Sequence, residues 1–234
     1  MKKYNSVSNY RLSEPLKFEL YKKYDEVLSL LILRMVFYPN YELFILSDAP
    51  DIIRNDGKIG IEVTRAVEEK DAATESAFIK INYCFDEERL DTWKEIIEKN
   101  GAVYDNGILF HESRDEQRFL EPFKEVVKKK IAKYGKYMKK GIEKIGLMIY
   151  FERPIISGHS KTWVKVYEEM THDKKTYDFV FFLYYYGLDV YDSNNKTFKS
   201  YDIDQDDFQY LSIMATMIVT NKLSLDSEEC KNIF

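Results

Sequence analysis

At 234 residues the chain is long enough for one domain, or one domain carrying a helical insertion, and for a sizeable core. Hydrophobic content of 45% with 32% charged residues is ordinary for a globular fold, and the longest apolar runs, around Val27–Leu33 and Phe179–Tyr186, fall short of the roughly 20 residues of a membrane-spanning helix. A formal net charge of −5 excludes a surface that coats nucleic acid uniformly, while Cys84 and Cys230, far apart and without CxxC or histidine spacing, indicate neither a disulfide framework nor a zinc site.

The opening MKKYNSVSNYRLSEP has no apolar segment behind its lysines and does not read as a signal peptide, so a cytoplasmic location is expected. Apolar residues at helical spacing from Glu14 to Phe37 (Leu16, Leu20, Tyr24, Val27, Leu28, Leu31) predict a long first helix, with Ser13 as N-cap and Pro15 early. Pro39 and Asn40 end it, and Tyr41–Leu46 reads as a short strand. Asp56-Gly57 between two β-rich runs signals a hairpin with strands Asp51–Asn55 and Lys58–Thr64. A helix follows to about Ile81, then helical segments over Glu87–Lys99 and Arg114–Lys144, the latter with a break allowed near Gly135. Strands are expected at Ile145–Phe151, Trp163–Val166, Phe179–Tyr186 and Leu188–Tyr191, and a last helix at Asp206–Thr220. The pattern is that of an α/β domain with a central mixed sheet flanked by helices: one unit over 1–234, core 14–81 and 145–220, and a helical insertion at about 86–144.

The hairpin fixes a register. A two-residue turn at Asp56-Gly57 sets Asn55 against Lys58, Ile53 against Gly60, Ile52 against Ile61, and so Asp51 against Glu62. Opposed side chains stand about 4.5 to 5.5 Å apart at Cβ, where like charges repel. Glu62 and Thr64 share the face of Asp51, whereas Ile59, Ile61 and Val63 point to the other side and are free to pack on a helix. A hard divalent cation between the two carboxylates is the simplest remedy for the repulsion. The plainer alternative is a strand start after Pro50 and a glutamate on a solvated face.

The order of long helix, strand, Pro50-Asp51, hairpin, Glu62-Val63-Thr64, helix and later apolar strand resembles the core of the PD-(D/E)XK nuclease superfamily, over residues 14–81 and 145–151. The resemblance implies a restriction-endonuclease-like core and metal-dependent phosphodiester hydrolysis of nucleic acid. It also implies Mg²⁺ or Mn²⁺ held by Asp51, Glu62 and the backbone carbonyl of Val63. The lysine that closes the family's motif is Thr64 here, which cannot stabilise hydroxide by charge. Either the lysine has moved or hydrolysis is impaired. Lys58, Lys70 and Lys80 are candidates for a moved lysine. Lys58 lies four residues before Glu62, roughly 13 Å along a strand, which leaves Lys70 and Lys80 on the following helix. Glu75 joins Glu68 and Asp71 in an acidic stripe on that helix and is a further candidate for the site.

Between Lys124 and Lys144 stand nine lysines (124, 128, 129, 130, 133, 136, 139, 140, 144) against Glu125 and Glu143, a local balance of 9 − 2 = +7, while acidic residues gather at Asp202–Asp207. Lys129, Lys130, Lys133 and Lys136 are therefore candidate phosphate contacts, with Tyr134 and Tyr137 placed to stack on bases. The bland alternative is a solvated helix face. His111, His159 and His172 are scattered and suggest no triad, and no phosphate-binding glycine loop occurs. Two other function classes stay open: a nuclease-like fold without turnover that binds nucleic acid or protein, and an interaction module using the aromatic C-terminal sheet.

Overall fold

The computed structural model describes residues 16–230 apart from 17, 42, 68, 84–86, 106–107, 112–116, 152–159, 173, 175 and 228–229. The elements run α1 (Tyr21–Phe37), β1 (Phe44–Leu46), β2 (Ile52–Arg54), β3 (Ile59–Arg65), α2 (Glu69–Tyr83), α3 (Leu90–Lys99), β4 (Ala102–Asp105), β5 (Ile108–His111), α4 (Gln117–Met138), β6 (Lys144–Tyr150), α5 (Ser160–Thr171), β7 (Phe179–Tyr184), β8 (Gly187–Asp192), β9 (Thr197–Asp202) and α6 (Gln205–Val219).

Seven strands form one mixed sheet in the order β1-β2-β3-β6-β7-β8-β9. The central pairs β3·β6 and β6·β7 are parallel and the outer pairs antiparallel. Parallel centre strands are covered on both faces, which is why β6 reads KIGLMIY and is buried at every residue but the first. Alternation sorts the side chains. Ile52, Ile61, Val63, Met148, Phe181 and Leu183 pack against α1 and α6, while Ile145, Leu147, Ile149, Val180 and Phe182 pack against α4 and α5. Ile61 and Val63 thus meet a helix, as the hairpin register requires.

The structure corrects several sequence expectations. Trp163–Val166 is not a strand: Ser160, Trp163, Val164, Tyr167 and Thr171 are the buried residues of α5, a 3.6-residue stripe that a four-residue window mistakes for a β run. The insertion is not wholly helical, because β4 and β5 pair as an antiparallel hairpin between α3 and α4. Ala102 of that hairpin joins Ala77, Trp93 and Ile97 in a small core of its own. The strand β9, polar and largely exposed, carries no apolar alternation and was not anticipated. Helix α4 runs through Gly135 and stops at Met138, so Lys144 belongs to β6. Ser13 and Pro15, expected to start the first helix, lie outside the described residues, and α1 begins at Tyr21.

The expected hairpin register holds, with Ile52 opposite Ile61 and Ile53 opposite Gly60. The connection is wider than two residues: Gly57 N–H donates to Arg54 C=O at 2.8 Å, Lys58 N–H donates to the Asp56 carboxylate at 3.0 Å, and Gly57 takes φ +74°. Gly60 serves a different purpose. A Cβ there would lie 2.3 Å from Pro50 Cγ, so the proline ring rests on the glycine and holds Asp51 beside β3. Gly60→Ala is expected to destabilise the fold by about 1–3 kcal/mol in urea unfolding, because the ring must move. Gly135→Ala, where an added methyl meets open space on an exposed helix position, is the matched control and should stabilise by about 0.5–1 kcal/mol.

Candidate functional site

Asp51 sits one residue before β2, at the position that continues the register opposite Glu62. Both carboxylates are inside the protein, Asp51 at 2% and Glu62 at 3% exposure. The Asp51 carboxylate accepts the Val63 N–H at 2.7 Å and stands 3.4 Å from Lys22 Nζ of α1. Glu62 is held by α4: Lys130 Nζ donates to its Oε1 at 2.6 Å, the Tyr137 hydroxyl donates to its Oε2, and Lys133 Nζ lies 3.8 Å away. The same Lys130 ammonium donates to the Val63 carbonyl at 3.2 Å. Lys140, beyond the C-terminal end of α4, donates to the Ala49 carbonyl at 3.1 Å, just before Pro50.

Sequence reasoning placed Lys130 among phosphate contacts and missed its position at Glu62. The signal was present. The inward stripe of α4 reads Phe123, Val127, Lys130, Tyr134, Tyr137, steps of four, three, four and three, and Lys130 is the charged residue in it. A lysine in an apolar stripe costs stability unless it is paired, so its partner was worth seeking. Tyr137 is likewise not a stacking surface: it is 5% exposed, and burial together with the Glu62 hydrogen bond and charge drives its hydroxyl pKa far above the ordinary tyrosine range. Tyr134 is half-buried and lines a cavity of about 750 Å³ with Tyr177, Glu168 and Lys196. The Tyr177 hydroxyl donates to the Lys130 carbonyl at 2.8 Å and so braces the turn that carries the ammonium.

Helix α1 supplies what the sequence did not announce. Glu26 lies 3.2 Å from Lys22 and its side chain is 14% exposed. Burial first, then the charge of Asp51, pushes its pKa up to about 7. Beside it in the same helix, Asp25 forms a bidentate pair with Arg65 at 2.5 and 3.0 Å, and the guanidinium lies over the rings of Tyr21 and Tyr150 at 5.3 and 5.2 Å. That clamp fixes the rotation of α1 at the turn bearing Lys22 and Glu26.

The other expected site residues fall elsewhere. Thr64 lies on β3, half-buried, two residues beyond Glu62 on the same face. Lys70 and Lys80 are exposed on α2, and among the described residues neither meets Asp51 or Glu62. Glu75 lies on α2 and Glu68 precedes it; neither side chain is among those described. Lys58 pairs with Glu143 at 2.7 Å. Lys129 is exposed and 3.8 Å from Glu125, and Lys136 is exposed. His111 is on β5, His172 is exposed after α5, and His159 and Cys84 lie outside the described residues.

The donors a hard cation could use here are two carboxylates and one backbone carbonyl, those of Asp51, Glu62 and Val63. Among the described residues no three His, Cys, Asp or Glu groups cluster to hold a metal. Mg²⁺ takes one or two carboxylates and fills the rest of its shell with water or phosphate oxygens, and Glu62 Oε1 with Val63 O already converge on one ammonium. The like-charge repulsion that the register creates is, however, also answered by Lys22 and Lys130, so the carboxylate pair does not by itself demand a metal. No family model matches the chain, and no curated protein or solved structure matches it either.

Glu26 makes a pH prediction for metal-free protein. Its folded pKa is raised above the unfolded value, so the folded state binds more protons in the window between the ordinary carboxylate range and about 7. The stabilisation is complete below that window and is lost as pH rises through about 7. Glu26→Gln is therefore expected to flatten the decline and to raise stability at pH 8 by on the order of 1–2 kcal/mol, read from urea midpoints at pH 5 and pH 8 in EDTA.

Proposed function

We propose that the chain is a divalent-metal-dependent nuclease of the PD-(D/E)XK type on a restriction-endonuclease-like core, with Lys130 in place of the lysine that Thr64 replaces. The observation that carries this reading is the meeting of Lys130 with Glu62 and Val63 beside Asp51. A lysine supplied from α4 restores the missing charge from a different element. Bound by Asp51, Glu62 and the Val63 carbonyl, Mg²⁺ or Mn²⁺ would polarise the scissile phosphate and lower the pKa of a water. Lys130 would stabilise charge on the attacking oxygen or the phosphate, since a group in this role must reach the reacting atoms directly or through one water. Lys22 stands beside Asp51, its own pKa raised by the charges of Asp51 and Glu26 against the lowering effect of burial. The exposed Lys129, Lys133 and Lys136 then offer sequence-independent grip on the phosphate backbone.

A non-catalytic binding module is the second reading. What favours it is the near-complete closure of Asp51 and Glu62 by the protein's own cations. Assays with Mg²⁺ or Mn²⁺ on single- and double-stranded DNA and RNA separate the two. Asp51→Ala and Glu62→Ala are expected to lower cleavage by on the order of 10²-fold or more, with Lys130→Ala close behind, whereas Lys70→Ala and Lys80→Ala stay near wild type. Absence of cleavage by wild type on every substrate would reject the enzyme.

Charge reversal of Lys129, Lys133 and Lys136, leaving Lys130 in place, is expected to weaken nucleic-acid affinity. It should also flatten the dependence of log K on log salt by about 0.7 to 0.9 for each phosphate no longer neutralised, in fluorescence anisotropy over a salt series. Unchanged affinity and slope would return this face to a merely solvated role.

A further inference from the structure

We infer that Lys130 is the built-in counter-ion of the metal position: its ammonium holds Glu62 and Val63 in the absence of a divalent cation and surrenders both oxygens when one binds. The inference rests on the nuclease reading in taking those two oxygens as metal donors. Both Glu62 oxygens are engaged, Oε1 by Lys130 at 2.6 Å and Oε2 by Tyr137. An ammonium that also touches Val63 O at 3.2 Å sits where a hard cation would share these ligands. A cation bound to both oxygens at the roughly 2.0–2.1 Å that Mg²⁺ requires would take the place between them that the ammonium holds, so the head group must move aside. Exchange is therefore obligatory, and metal affinity is reduced by the stability of the pair it breaks.

The position is built for exchange rather than for permanent pairing. The Lys130 side chain is 12% exposed, and its stem belongs to the inward stripe of α4, so the stem stays in place while the head group moves. Tyr177 fixes the backbone of that turn through the Lys130 carbonyl, confining the motion to the side chain. The released ammonium remains beside the metal, where a phosphate oxygen or attacking water would be. One lysine thus serves two states: it neutralises Glu62 before the metal arrives and supplies positive charge to the substrate afterwards.

The test uses the full chain and Mn²⁺ alone, read by electron paramagnetic resonance of free Mn²⁺ and by thermal unfolding. In EDTA, Lys130→Met is expected to melt roughly 5–15 °C below wild type, because an unpaired carboxylate is left buried. Saturating Mn²⁺ should recover most of that loss, and Lys130→Met should bind Mn²⁺ about tenfold or more tightly than wild type. Lys133→Met, which removes an equal charge at 3.8 Å from Glu62 and 52% exposure, should change affinity by much less, and Glu62→Gln should abolish binding. Equal Mn²⁺ affinity in wild type and Lys130→Met would overturn the exchange while leaving the metal site intact. Loss of stability in Lys130→Met with no Mn²⁺ bound by any variant would overturn both the exchange and the nuclease reading. Should Lys130→Met not fold, Lys130→Gln carries the same comparison, since it removes the ammonium from Glu62 Oε1 and Val63 O; tighter binding supports the exchange and unchanged binding rejects it.

Discussion

Burial of Glu62 is the constraint on which much of this structure turns. A carboxylate at 3% exposure loses hydration worth several kcal/mol, and the loss is tolerated only with well-placed partners. Those partners come from α4, which is separated from β3 in the chain by α2, α3 and the β4-β5 hairpin. Lys130 and Tyr137 lie seven residues apart, two helical turns, and reach the two oxygens of one carboxylate. That pairing fixes both the rotation and the axial position of α4 on the sheet. The apolar contacts of Phe123 and Val127 anchor the helix, but apolar packing tolerates small slides that a two-point polar contact does not.

A comparable arrangement orders the opposite face. Arg65 leaves β3 on the α1 side, three residues after Glu62 leaves on the α4 side, and engages Asp25 through Nε and one terminal guanidinium nitrogen while lying over the rings of Tyr21 and Tyr150. The pair is half-sealed, with the guanidinium at 16% exposure. Its effect reaches the site because Lys22 and Glu26 share the same turns of α1. Strand β3 is thus pinned by two helices through two residues of opposite charge, and Asp51 lies where the two polar clusters meet.

Much of the fold was legible because it depends on local pattern. Strand β6 announced itself as an unbroken apolar run, and the hairpin register followed from counting outward from Asp56-Gly57 even though the turn proved wider, since widening by whole residue pairs preserves the pairing. The failures share a cause. Strand β9 is mostly polar and exposed without apolar alternation, and is defined by its hydrogen bonds to β8, not by burial. Helix α5 was read through the four-residue window Trp163–Val166, which is too short to show the period. The candidate site was legible in half: Asp51 and Glu62 lie close in sequence across one turn, whereas Lys130 is 68 residues from Glu62 and is marked in the sequence only by its inward helical position.

That question also bears on how the lysine-rich helix is to be understood. A net charge of −5 with a local excess of +7 between Lys124 and Lys144 invites a single explanation for all nine lysines, yet the structure divides them, by helical phase within α4 and by position beyond its end at Met138. Lys130 faces inward and is tied to one carboxylate, Lys140 caps the carbonyl before Pro50, and Lys129 and Lys136 face solvent. Lys133 lies between, half-exposed and within 4 Å of Glu62. The density of charge along the helix lets one face neutralise a buried acid while the adjoining face keeps a positive field above it. Such a field is little screened over a few ångströms, compared with a Debye length of about 8 Å at physiological salt. The same helix therefore both neutralises the buried Glu62 carboxylate and presents a positive face to solvent.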